Sequence, residues 1–123
     1  MKYRIAIGSR DGIEVTEHFG QCSRFYIVDI SQEDDQVTPA GERETGSESR
    51  CGNHQDDRIR EKIKALKDCQ IVLVKQIGGQ SEKLLNHYGI ISLQYNGLIE
   101  DALQKVIKYY KKQIFVREGQ IYG

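Results

Sequence analysis

Several kinds of residue are scarce in this sequence, and their scarcity excludes several classes of protein. The chain has 123 residues, with three cysteines, one proline and no tryptophan. So few cysteines, in an odd number, disfavour a secreted domain held by disulfides and leave thiol or metal chemistry open. No apolar run suits a signal peptide or a membrane span. We therefore expect a cytoplasmic protein that has no contact with a membrane.

The sequence also lacks an excess of charge and the motifs of common enzymes. Lys and Arg together number 18, and so do Asp and Glu, so the formal net charge is zero. A nucleic-acid binder usually carries a strong basic excess, so the balance disfavours nucleic acid as a partner. There is no G-x-S-x-G elbow and no P-loop, and residues 2–8 contain no acid. The residues by themselves therefore offer little evidence for an enzyme.

Hydrophobic periodicity divides the chain into strands and helices. The pattern has a period of two near the start and a helical period from Asp56 onwards. Strands are predicted over residues 2–8, 24–30, 36–44, 70–75 and 90–93. Helices are predicted from Asp56, from Gly78 and Gly79 to Gly89, and from a cap at Asn96 to residue 112. The pair Glu118-Gly119 between β-prone residues predicts a terminal hairpin over residues 113–122.

The order of these elements, β-β-β-α-β-α-β-α, predicts the fold. A meander followed by alternating strands and helices is typical of a mixed sheet with helices on its faces. Pro39 favours an edge position for the third strand, and the β-branched run at residues 70–75 indicates a buried parallel strand. We expect one α/β domain over residues 1–112, with an extension over 113–123. An exposed hairpin edge there is compatible with either a monomer or a homodimer.

Two loops carry His and Cys at spacings that suit a metal. His18 and Cys22 lie between the first two strands, where an imidazole and a thiolate can face a soft metal. Cys51 and His54 have a zinc-like spacing, but no second pair completes a closed zinc site. The structural alternatives are a surface His beside a small buried Cys, and a solvated loop. Cys69 precedes a buried strand and is expected in the core.

A third candidate is formed by Gly78 and Gly79, which lie between a strand and a helix. Backbone N–H groups and the electropositive start of a helix suit an anion, and a tight turn is the alternative interpretation. The basic residues of the first and third helices, Lys62 among them, are interpreted as solvated faces.

Several short motifs follow one another along most of the chain. They are His18-Phe19-Gly20, Cys51-Gly52, Leu66 to Cys69, Ile77-Gly78, Gly89-Ile90 and Ile99-Glu100-x-Ala102. In order and spacing these motifs resemble the dinitrogenase iron–molybdenum cofactor-binding family over residues 2–112. The resemblance implies a ribonuclease-H-like α/β fold with a five-stranded mixed sheet. It also implies that His18 is a ligand for an iron–sulfur species, either iron–molybdenum cofactor or a precursor, and that the protein has no catalytic activity.

From the residues and the resemblance we expect a carrier of an iron–sulfur cluster or a related metallocofactor. Its partner would be a cluster-assembly or recipient protein. The expected binding residues are His18, Phe19, Gly20, Cys22, Gly78 and Gly79, and the expected metal ligands are His18, Cys22 and Cys51. Two alternatives remain open. One is a cofactor-free interaction module that docks through the acidic stretch 31–50 or the tail, and the other is a nucleic-acid binder that uses the third helix.

Overall fold

In the part of the chain that the structure describes, five strands form a central sheet, two short strands form a separate ribbon, and three helices cover the sheet. The computed structural model describes residues 2–45 and 55–119, and the side chains of residues 2–45 and 58–112. The strands are β1 (Lys2–Gly8), β2 (Glu14–Val15), β3 (Arg24–Ser31), β4 (Val37–Glu44), β5 (Ile71–Val74), β6 (Ile91–Gln94) and β7 (Gly97–Leu98). The helices are α1 (Gln55–Ala65), α2 (Gly79–His87) and α3 (Ile99–Gly119), with a 3₁₀ turn at Phe19–Gln21.

The strand order of the main sheet is β4-β3-β1-β5-β6. The first half is antiparallel, because β1 pairs with β3 and β3 pairs with β4, and the second half, β1-β5-β6, is parallel. The strand that contains Pro39 lies at the edge, and the β-branched strand β5 lies inside the sheet, as predicted. This is the ribonuclease-H-like arrangement of a single α/β domain that the resemblance implies.

Alternation along the strands divides the apolar residues between two cores, one on each face of the sheet. On β1, Tyr3, Ile5 and Ile7 pack towards α3, whereas Ala6 packs with residues of α1 and α2. Helix α1 buries Ile59 and Ile63 at helical spacing, and α3 buries Ala102, Leu103, Val106 and Ile107. The sheet is therefore covered by α1 and α2 on one face and by α3 on the other. In the described part of the chain, no helix is both long and apolar enough to cross a bilayer.

An ion-pair network joins three strands to the connection between α1 and β5. Arg4 on β1 donates from Nε to Asp29 Oδ1 on β3 at 2.7 Å and from Nη1 to Asp68 Oδ2 at 2.8 Å. Arg43 on β4 also donates to Asp68, and to the carbonyl oxygen of Ala65 at the end of α1. Asp68 therefore links β1 and β4 to the end of α1.

The C-terminal hairpin predicted over residues 113–122 is wrong over residues 113–119, because α3 runs without a break to Gly119. Extending an existing helix adds one hydrogen bond per residue, and residues 113–118 include no proline or glycine to stop it. Glu-Gly is a weak turn signal, and both residues lie within the helix. Residues 120–122 lie outside the described residues, and the division of the chain after residue 112 stays a prediction.

The predicted helix cap at Asn96 is also wrong, because α3 begins only at Ile99. The residues just before it, Gly97 and Leu98, pair antiparallel with β2. The backbone N–H of Ile99 then donates to the carbonyl of Ile13 at 2.8 Å. A tertiary contact from a distant loop therefore takes the place of the local cap.

Candidate functional site

The loop that carries His18 lies at the carboxyl ends of the parallel strands β1 and β5. Thr16 N and Glu17 N both donate to the carbonyl of Gly8, the last residue of β1. Lys75 N donates to the carbonyl of Glu17 at 2.9 Å, immediately after β5. This is the edge of an open α/β sheet where ligands usually bind. His18 is therefore held where the fold favours a binding site.

The backbone on both sides of His18 is fixed, and its imidazole is exposed. His18 forms a parallel bridge with Gln76, and Phe19 N donates to the carbonyl of Gln76 at 2.8 Å. The carbonyl of His18 accepts from Gln21 N at 3.1 Å and Cys22 N at 3.0 Å. Phe19 is fully buried, so its ring anchors the turn in the core and leaves the preceding imidazole in solvent.

Lys62, predicted to lie on a solvated face of α1, is buried and contacts this turn. Only 8% of Lys62 is exposed. Its Nζ donates to the carbonyl oxygen of Phe19 at 2.7 Å and to that of Gly20 at 3.1 Å. The same ammonium lies 5.1 Å from the centre of the Phe19 ring, within the range of a cation–π interaction. Burial of a lysine is tolerated here because the ammonium is hydrogen-bonded.

The spacing of residues along α1 indicates that position 62 is buried, although the residue type, lysine, suggests an exposed position. Lys62 follows Ile59 by three residues and precedes Leu66 by four, which is the spacing of the buried stripe of α1. The position therefore faces the protein, whereas a lysine by itself suggests solvent.

Cys22 lies in the core and not beside the imidazole of His18. Its side chain is 1% exposed, and Sγ donates to the carbonyl of Arg24 at 3.2 Å. Burial raises the pKa of the thiol to about 11, so at neutral pH it is protonated and a poor metal ligand. This geometry does not support the expected pairing of Cys22 with His18 on one metal. The structural alternative, a surface His beside a small buried Cys, describes both residues.

Of the other two cysteines, Cys69 lies in the core and Cys51 lies outside the described residues. Cys69 is 2% exposed, as expected for a core residue, and burial raises the pKa of its thiol to about 12. Cys51 and His54 lie outside the described residues, so their expected roles stay predictions. Within residues 2–45 and 58–112, no three His, Cys, Asp or Glu side chains converge as a metal-binding group.

Gly78 and Gly79 lie just beyond the Gln76 backbone that pairs with His18. Gly78 is the N-cap residue of α2 and provides no side-chain hydrogen bond to the start of that helix. The N–H of Ile77 donates to Gln94 Oε1 at 2.9 Å, which fixes the approach to the helix from β6. Glu82 is the acidic residue of the first turn of α2. The helix start thus follows closely on the backbone that pairs with His18, and Gly78 itself provides no cap.

The glycines near His18 differ from the other glycines in one respect. Of the eight glycines whose surroundings are described, four have a positive φ, and at Gly8 an added Cβ would lie 3.0 Å from Val74. Gly20, Gly78 and Gly79 have no positive φ, and no atom of the described residues lies within 4 Å of a Cβ added there. Within the described residues, neither backbone conformation nor a close neighbour requires glycine at these three positions, so the backbone of the described part of the chain is open there.

Comparison with known proteins decides the family. The family model described as dinitrogenase iron-molybdenum cofactor matches residues 1–109. The chain belongs to this family. The resemblance inferred from the short motifs is therefore confirmed.

Two curated relatives and a solved structure agree with this assignment. The chain is 32% identical over 120 residues to the FeMo cofactor biosynthesis protein NifB of Herbaspirillum seropedicae, covering 95% of this chain and 22% of NifB. It is 34% identical over 82 residues to protein NifX of Sinorhizobium fredii, covering 63% of this chain and 50% of NifX. The chain thus spans half or less of these relatives. The crystal structure of PH0822 matches with a TM-score of 0.63 and 26% identity, covering 85% of this chain and 90% of PH0822.

Proposed function

We propose that this chain binds an iron–sulfur cluster or a related iron–molybdenum species as cargo, and carries it without catalysing a reaction. The observation that carries the proposal is the open backbone of Gly20, Gly78 and Gly79 next to the exposed imidazole of His18. The family and the relatives named for FeMo cofactor biosynthesis support the same kind of cargo.

The chemistry of the site suits an anionic cluster. Imidazole nitrogen is a known ligand of iron in clusters, and hydrogen bonds from backbone N–H groups stabilise the cluster sulfur atoms. The start of α2 adds a partial positive charge that favours an anion. His18 is thus the protein ligand to iron, and Gly20, Gly78 and Gly79 let the cluster approach the backbone closely.

A carrier has to release its cargo, and the small number of ligands at this site suits that requirement. In the described part of the chain His18 is not joined by two further His, Cys, Asp or Glu side chains. The buried Cys22 thiol does not serve as a ligand, and Cys51 is the second ligand that we expect. The partner is a cluster-assembly protein or a recipient protein, and we expect this chain and its partner in the cytoplasm.

Anaerobic reconstitution with iron and sulfide tests this proposal, with bound iron and visible absorption as the readouts. We expect His18→Ala to retain at most about a tenth of the iron held by the parent after desalting, because it removes an iron ligand. His87→Ala is the matched control, since His87 is also exposed but lies at the other end of α2. It should bind as much as the parent.

Two cysteine variants complete the experiment. Cys22→Ala should keep the cluster, because its thiol lies in the core, whereas Cys51→Ser should lose iron if Cys51 is the second ligand. Equal iron in His18→Ala and the parent would show that His18 is not the ligand. A parent that stays colourless but binds a specific partner would favour the cofactor-free interaction module.

A further inference from the structure

The ammonium of Lys62 lies beneath the turn that follows His18, on the side away from solvent. It is hydrogen-bonded to two consecutive carbonyl oxygens, those of Phe19 and Gly20. Two charge-assisted hydrogen bonds from one ammonium hold both peptide planes in a defined orientation. Phe19 and Lys62 are buried, whereas Gly20 is exposed. The turn therefore has an inner side fixed by Lys62 and an outer side open to solvent.

The orientation of these carbonyls determines the direction of the neighbouring N–H groups. In a trans peptide the C=O and the following N–H point in opposite directions, and no described peptide bond is cis. The Phe19 carbonyl points inward to Lys62, so the N–H of Gly20 points outward. That N–H emerges two residues after His18, at a position where an added Cβ would meet no atom of the described residues within 4 Å. A rotated Phe19–Gly20 peptide would instead present a carbonyl oxygen there.

We propose that Lys62 is a positioning residue for the binding site: it holds the Phe19–Gly20 peptide so that the Gly20 N–H faces the cargo beside His18. This inference rests on the proposed function, because a bound cluster provides the sulfur atom to which the Gly20 N–H donates. It also explains why a lysine occupies a buried position of α1, where a leucine would satisfy packing alone. A carbonyl oxygen facing an anionic cluster would repel it, so the orientation determines whether the turn attracts or rejects the cargo.

The test compares Lys62→Met with the parent and with Lys64→Met. Lys64 is exposed on the same helix, so its variant removes the same charge without touching the turn. Two readouts are used: the amide resonance of Gly20 in the cluster-free protein, and the rate at which the reconstituted protein loses iron to a chelator. We expect Lys62→Met to shift the Gly20 amide and to lose iron about tenfold faster. Lys64→Met should behave as the parent in both.

The two readouts separate this inference from the proposed function. An unchanged Gly20 amide in Lys62→Met, or a shifted amide with an unchanged rate of iron loss, overturns the role of Lys62. If the parent binds no cluster, the proposed function fails and the positioning role fails with it, although a shifted amide would still report the hydrogen bonds. If Lys62→Met shows no cooperative thermal transition, Lys62→Arg replaces it under the same two criteria. Arg keeps the charge but cannot place a single ammonium between the two carbonyls.

Discussion

His18 and Cys22 show how far residue spacing can predict a site. His18 is the ligand that the family resemblance implies, whereas Cys22 was predicted as a ligand because it stands four residues from His18 in a loop. The 3₁₀ turn between them places one in solvent and the other in the core. Which side of the turn is buried depends on Phe19, whose ring packs against Phe25 with ring centres 6.0 Å apart, and on the ammonium of Lys62. These contacts come from distant parts of the chain, so local sequence could not determine them.

At Gly79, stability and binding should change in opposite directions. Gly79→Ala introduces a better helix former at the first residue of α2, where an added Cβ meets no atom of the described residues within 4 Å. We therefore expect a gain of up to about 1 kcal/mol in the free energy of unfolding. The same methyl group enters the space assigned to the cargo, so iron loss to a chelator should be several-fold faster. Chemical denaturation and chelator kinetics measure the two effects.

Asn86→Ala is the control for this substitution. Asn86 is exposed near the other end of α2, so alanine there also raises helix propensity and should leave iron loss unchanged. If Gly79→Ala holds iron as firmly as the parent, the cargo does not lie against this backbone.

At the scale of elements, the Asp68 network predicts a pH-dependent contribution to stability. Arg43 and Arg4 hold the pKa of the Asp68 carboxyl at about 2, below its usual value. The unfolded chain therefore binds more protons between about pH 4 and pH 2, so the stabilisation is complete above pH 4 and is lost as the pH falls towards 2. Asp68→Asn should lower the free energy of unfolding by about 1 kcal/mol at pH 7, a modest effect because the side chain is 44% exposed.

Urea denaturation at pH 7 and at low pH measures this contribution. The difference between Asp68→Asn and the parent should shrink as the pH approaches 2. Glu44→Gln is the control, since its carboxylate is 77% exposed and lies 3.8 Å from Arg24. A difference that persists unchanged at low pH would mean that the charge of Asp68 is not its source.

Most elements could be predicted because their signals are local. The alternation of β1, the β-branched run of β5 and the stripe of α1 each lie within one element. The start of α3 could not be predicted, because Gly97 and Leu98 pair with β2, more than eighty residues earlier along the chain. The burial of Lys62 also depends on residues that are distant in sequence, since its partners Phe19 and Gly20 lie on another loop.

At the scale of the whole molecule, topology places the candidate site. β1 is antiparallel to β3 and parallel to β5, so the connection from β1 to β3 begins and ends at the carboxyl edge of the parallel half. The His18 loop lies on that path and pairs with the extension of β5 at Gln76. The fold class and the family followed from the sequence, whereas the convergence of His18, Gly20 and the start of α2 follows from the topology.

The position of the bound cluster is the central claim, and glycine amide resonances test it most directly. Uniformly ¹⁵N-labelled protein would be compared before and after anaerobic loading, because iron broadens amide signals close to it. We predict that the amides of Gly20, Gly78 and Gly79 lose intensity, while those of Gly41 in β4 and Gly89 beyond α2 keep it. Loss of the Gly41 or Gly89 signals with the other three unchanged would contradict the account.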